Sequence, residues 1–89
     1  MKAIITVTGK DHTGIVATVS TRLAEMNINI LDISQTLMEE YFTMIVLGDF
    51  SESPFSIKEA QERMKQVEKN QQLVIRIQSE DIFNAMHTL

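Results

Sequence analysis

Residues 2–8 alternate along the chain, with Ala3, Ile5 and Val7 on one side of an extended backbone and β-branched neighbours between them. A period of two in such residues predicts a strand. Gly9 to Gly14, Gly-Lys-Asp-His-Thr-Gly, read as a polar loop. The period then changes. Apolar residues at 15, 16, 19, 23 and 26 predict a helix over Ile15 to Met26, with Thr13 as a plausible N-cap. Asn27 tolerates a left-handed backbone and serves as the stop. Ile28 to Met38 predict a long strand and Tyr41 to Leu47 a returning one, with Glu39-Glu40 at the tip, although glutamate suits a tight primed turn poorly. Gly48 to Pro54 read as loop. Ser56-Ile57-Lys58-Glu59 is a capping box, and Ile57, Ala60, Met64 and Val67 mark one helical stripe behind it. Leu73, Ile75 and Ile77 alternate with Val74, Arg76 and Gln78 as a last strand. Ser79 then caps a short terminal helix, with Glu80 and Asp81 at its positive end and His87 at its negative end. Ile82, Phe83, Met86 and Leu89 are its apolar residues.

The order β-α-β-β-α-β predicts an α+β, ferredoxin-like sandwich: a four-stranded antiparallel sheet with two helices on one face, plus a short C-terminal helix. Residues 1–79 form the domain, and 80–89 a helical tail that packs on it or on a partner subunit. One feature exceeds what a monomer needs. Phe42 to Leu47 are apolar on both faces of their strand, and residues 28–33 nearly so. Two helices cover one face only, so a second subunit, helped by the tail, is expected on the other. Dimer and tetramer both remain open.

Composition narrows the partners. A chain of 89 residues makes one small domain, and without cysteine it has neither a disulfide nor a Cys-based metal site to supplement its core. The net charge is −4 with scattered Lys and Arg, which argues against a direct nucleic-acid partner and against an anionic membrane surface. The apolar start, Met1 to Val7, is too short for a signal-peptide core or a membrane span, so a cytoplasmic location is expected. His12 and His87 lie in different elements with no metal-pair spacing, and no metal or cofactor is expected. Met26 and Met64 fall on core stripes, where methionine is ordinary filler.

Three segments carry a family resemblance. They are the loop Gly9-Lys10-Asp11-His12-Thr13-Gly14-Ile15-Val16, the helix end Leu23-Ala24-Glu25-Met26-Asn27-Ile28-Asn29-Ile30, and the ferredoxin-like order itself. Together they resemble the ACT domain over essentially the whole chain. Residues 1–7, 32–36, 41–44 and 80–87 look like a bacterial family of stand-alone ACT proteins similar to half of the glycine cleavage system transcriptional repressor. The resemblance implies pairing, with a small amino acid bound at the interface by Asp11, His12, Thr13, Gly14, Ile15, Val16 and Asn29. Simple chemistry agrees with that set. Free N–H groups at a helix start hold a carboxylate, Asp11 accepts from an ammonium group, and the Asn29 amide both donates and accepts. Many ACT domains have glycine where this chain has Asn27, and the enzyme or DNA-binding domain to which ACT domains are usually fused is absent from this sequence.

Each site residue also has a plain structural reading. Asp11 and Thr13 would cap the first helix, Gly14 would serve only the turn, and Asn29 would bond the loop. The leading function is a regulatory, amino-acid-binding homo-oligomer that acts on a partner protein. The alternative is a ligand-free interaction module whose functional surface is the doubly apolar sheet. An enzyme on this fold is disfavoured, because the loop offers Lys10 but no Arg to cradle a phosphate and no nucleophile sits near a base in sequence. An RNA-binding domain would need basic neighbours around Tyr41 and Phe42, and there are none.

Overall fold

The structure, a computed structural model, describes residues 1–87. Its elements run β1 (Lys2–Lys10), α1 (Ile15–Glu25), β2 (Asn29–Met38), β3 (Tyr41–Asp49), α2 (Ile57–Gln71), β4 (Leu73–Ser79) and α3 (Glu80–His87). The four strands form one antiparallel sheet in the order β2-β3-β1-β4. This is the α+β, ferredoxin-like order that the hydrophobic pattern predicts.

Alternation sorts the sheet into two faces. Ala3, Ile5 and Val7 of β1, Phe42, Met44 and Val46 of β3, and Leu73, Ile75 and Ile77 of β4 are buried on one face. Ile15, Val19 and Leu23 of α1 and Ala60, Met64 and Val67 of α2 close over them, joined by Met26, Ile28 and Phe50. Each large side chain so buried contributes about 1.5–3 kcal/mol, which is how so small a domain holds together without a cross-link.

Two strands are longer than the sequence pattern indicates. Gly9 and Lys10 extend β1, paired with Phe42 and Tyr41, and Gly48 and Asp49 extend β3, paired with Ala3 and Lys2. Gly9 and Gly48, which read as loop signals, are strand residues. A glycine in a strand interior marks a close approach, and Gly9 is flanked on its β4 side by Leu73.

Asn27 takes the left-handed conformation expected of a helix stop, with φ of 57°. The hairpin tip falls at Glu39-Glu40 as expected, with Glu39 at φ 56°. Ser79 Oγ accepts from the Ile82 N–H at 3.2 Å, so the serine caps α3. α3 follows β4 without a loop and lies against β1 and β4. Ile82 is exposed. The remaining tail positions assigned from sequence, Leu89 and the side chains of Phe83, Met86 and His87, lie outside the described residues.

The capping box of α2 is complete. The Ser56 N–H donates to Glu59 Oε1 at 2.9 Å, and the Glu59 N–H donates to Ser56 Oγ at 3.1 Å. The Ser56 backbone N–H first, and its hydroxyl second, hold the Glu59 carboxyl below its usual range. A carboxyl lowered on folding stabilises the fold above its unfolded-state pKa and loses that contribution as pH falls through the folded value. Ser56→Ala removes the hydroxyl that caps the Glu59 N–H and is expected to cost about 1 kcal/mol; it keeps the backbone N–H, the larger cause of the lowered carboxyl, so the cost is expected to change little between neutral pH and acid. Urea unfolding of the variant at the two pH values checks this.

The other face of the sheet carries apolar residues on β1, β3 and β4. Ile45 and Val74 are exposed, Ile4 and Leu47 are half-buried opposite each other, and Thr6, Thr8 and Thr43 share the face. The edge strand β2 is exposed along nearly its whole length. Its pairing with β3 shifts register at Leu31, which bulges out between Ile30 and Asp32.

Candidate ligand-binding site

The loop from Asp11 to Gly14 begins where β1 ends, and two backbone anchors hold it. The Asp11 N–H donates to the Glu40 carbonyl at 2.8 Å, tying the loop to the β2–β3 hairpin. Lys10 Nζ lies 3.7 Å from Glu40 Oε2 at the same point, an exposed pair of small energetic weight. The second anchor is the His12 ring. Its Nε2 faces the Gln71 carbonyl at 3.0 Å and its Nδ1 the Thr13 carbonyl at 3.2 Å. The neutral ring donates to one of these and the imidazolium to both. His12, which the sequence offers as a ligand contact, thus pins the loop to the last turn of α2.

α1 opens without a side-chain cap. Gly14 occupies the N-cap position at φ 92°, and no side chain bonds the helix start. Thr13, expected as the cap, lies one position too early. The residue that holds the cap position is left-handed, whereas a capping serine or threonine sits on extended backbone. The Gly14 carbonyl accepts from Thr18 N–H at 2.9 Å, which begins the helical ladder. The N–H groups of the residues before Thr18 have no partner within the helix. A Cβ built on Gly14 meets nothing within 4 Å, so there is open space beside this residue. Gly14 therefore has a backbone reason to be glycine, its positive φ, and room beside it as well.

The expected site residues divide by burial. Asp11, His12, Thr13 and Gly14 are exposed and Val16 is half-buried, whereas Ile15 is 2% exposed and its side chain belongs to the core. Ile15 offers a backbone N–H here and nothing more.

Asn29 is elsewhere. It starts β2 opposite Asp49, which in turn pairs with Lys2, while the loop leaves the sheet beyond the Lys10–Tyr41 pair. Eight residue steps separate these two ends, roughly 26 Å of strand. Within one chain the structure brings Asp11 to Val16 together and leaves Asn29 at the far end of the sheet.

That far corner holds a residue that sequence reasoning missed. Asp49 Oδ1 accepts from the Ser51 hydroxyl at 2.6 Å and the Ser51 N–H at 2.9 Å, and these bonds, the hydroxyl's first, hold its carboxyl below the ordinary carboxylate range. The Asp-x-Ser spacing of a local side-chain turn was the available signal. Among the described residues, no three His, Asp or Glu side chains come together as a metal site requires, and no helix is long and apolar enough to cross a membrane.

The comparisons with known proteins bear on this geometry. Residues 2–78 match the sequence model of the ACT domain. A UPF0237 protein of Corynebacterium glutamicum is 60% identical over 89 residues, the full length of both chains. An ACT domain protein from Streptococcus pneumoniae has the same fold, with a TM-score of 0.82 and 44% identity over 93% of each chain. A putative glycine cleavage system transcriptional repressor superposes with a TM-score of 0.73 at 20% identity. It matches 86% of this chain with 44% of its own, which is a likeness of fold to about half of that protein.

Proposed function

The chain belongs to the ACT domain family, and from that premise we propose that it is a cytoplasmic regulatory module that binds a small amino acid between two copies of itself and signals to a partner protein. The observation that carries the reading is the uncapped start of α1 beside Gly14, which is exposed, as is Asp11 three residues before it. Free N–H groups there suit the ligand's carboxylate, and Asp11 suits its ammonium group.

Pairing supplies what one chain lacks. β2 is an edge strand, and an antiparallel pair of β2 strands about a two-fold axis sets the start of one beside the end of the other. Asn29 of one copy then lies near the β2–β3 hairpin of the second, the hairpin to which the Asp11 N–H is bonded. The register centred on Gln35 is self-complementary. It matches Ile33 with Leu37 and Ser34 with Thr36 in both directions, and gives cover to Ile33 and Leu37, which are exposed in the single chain. The local bond from Ile33 N–H to Asp32 Oδ1, 2.9 Å and exposed, gives way to the new ladder at little cost.

Calorimetry with the standard amino acids is the test. Heat is expected with one or a few of them and with none for Gly14→Leu, whose side chain fills the open space. Absence of heat and of thermal shift with every amino acid would remove the ligand. A second reading, a ligand-free interaction module, draws on Ile45 and Val74, exposed on the sheet face opposite the helices. If Gly14→Leu preserves cellular function while Ile45→Asp destroys it, that reading prevails.

A further inference from the structure

We propose that Gln61 and Glu68 of α2 close the β4 edge of the sheet against strand addition, so that assembly through backbone pairing is confined to β2. A sheet in the order β2-β3-β1-β4 has two free edges, and each presents a row of backbone donors and acceptors to any passing strand. The two edges of this sheet are treated differently.

At β4 the row is occupied from within. Gln61 Nε2 donates to the Ile77 carbonyl at 2.7 Å, and Glu68 Oε2 accepts from the Ile75 N–H at 2.9 Å. Residues two apart in an antiparallel strand direct their backbone groups to the same side, so both bonds lie on the edge that faces away from β1. Residues seven apart on a helix share a face, so one side of α2 reaches both positions. An incoming strand would have to displace an amide and a carboxylate together, and the displaced carboxylate would stand against its carbonyl groups. Lys65 lines the same cleft and adds a charge of the kind that blunts edges. Neither Gln61 nor Glu68 belongs to the buried stripe of Ala60, Met64 and Val67, so the core does not account for them.

At β2 ten residues run along the edge with neither Lys, Arg nor Pro, and Leu31, Ile33, Leu37 and Met38 are exposed. The side-chain bond from Asp32 to the next N–H is local to the strand and exposed. The consequence is one of closure. Pairing through a single edge about a two-fold axis ends at two copies, whereas pairing through both edges continues without limit. Two side chains on α2 thus separate a finite assembly from an open ribbon. The inference rests on the homo-oligomeric reading for what happens at β2, and the closure of β4 stands apart from it.

The test is the mass of the full-length protein by light scattering over a range of concentrations. Gln61→Ala/Glu68→Ala is expected to raise the mass with concentration, to roughly double the wild-type value or more. Glu68→Gln keeps an oxygen acceptor for the Ile75 N–H and is expected to hold the wild-type mass. If the double variant does not fold, Gln61→Ala and Glu68→Ala singly are expected to show the same growth in weaker form. A wild-type monomer would sink the pairing at β2 alone, and the double variant would then be expected to go from monomer to dimer. Folded variants, by circular dichroism, that keep the wild-type mass at every concentration overturn the proposal.

Discussion

Two binding-dead variants, mixed, are expected to recover ligand binding. Gly14→Leu fills the space at the start of α1, and Asn29→Ala removes the amide that reaches across from the other copy. Each variant alone carries the same defect in both of its sites. In a mixed pair, one site collects both defects and the other collects neither. Random reassortment after joint unfolding and refolding makes half of the pairs mixed, so roughly a quarter of all sites are restored. Calorimetric stoichiometry reads that fraction directly.

Gly14→Leu carries a second effect that has to be separated. At φ 92° any side chain is strained, by about 1–2 kcal/mol. Gly14→Ala shares the strain but fills little of the space, so a variant that binds when Ala is present and fails when Leu is present isolates occlusion. Gln35→Pro completes the set. Gln35 lies on the same side of β2 as Ile33, whose N–H is taken by Asp32 rather than by β3. A proline there removes an outward donor without breaking the ladder to β3. It is expected to give a folded monomer that binds nothing. Binding by that monomer, or no recovery on mixing, would show that one chain holds the whole site.

The reason for so indirect an experiment is also the reason the site was only half legible in the sequence. Asp11 to Val16 are contiguous, so a loop signal and a helix signal found them together. Asn29 entered through family resemblance, and nothing in its spacing says that an antiparallel sheet carries it to the opposite end from the loop. The legible parts of the fold were those decided locally: the stripe of α2, the capping box at Ser56 and Glu59, and the left-handed stop at Asn27. The parts decided by tertiary contact were misread. Thr13 has the chemistry of a cap, but the hydrogen bonds of Asp11 and His12 fix the loop so that Gly14 takes the position. The anchors themselves are backbone carbonyls of Glu40 and Gln71, which any residue would supply, so no sequence signal exists for them. Gln61 and Glu68 are likewise ordinary polar residues on a helix until the position of β4 is known.

Gly9 is the sharpest of these misreadings, and its replacement is expected to be among the most damaging to stability. A Cβ at Gly9 would lie 2.8 Å from Leu73 Cδ2, 3.2 Å from the Gln72 carbonyl oxygen and 3.5 Å from Leu73 Cα. Leu73 is buried, so its methyl group has little room to retreat. Gln72 holds a left-handed turn at φ 55° with its N–H bonded to the Glu68 carbonyl, so the backbone there is also constrained. Overpacking of this kind costs about 1–3 kcal/mol for alanine, and more for a β-branched side chain. The total stability of a domain this size is only about 4–13 kcal/mol. Gly9→Ala is expected to lower Tm by about 4–8 °C for each kcal/mol lost, and Gly9→Val to lower it further. The damage reaches the loop as well. Gln71, whose carbonyl holds His12, directly precedes the displaced Gln72, so Gly9→Ala is expected to weaken ligand binding beyond what its melting temperature explains. Leu73→Val removes the closest atom and leaves the Gln72 contact. Combined with Gly9→Ala, it is expected to recover part of the loss in Tm, and the recovered part measures how much of the cost was side chain against side chain. If Gly9→Ala melts with the wild type, the close approach of β1 to the α2–β4 junction is not what requires glycine at this position.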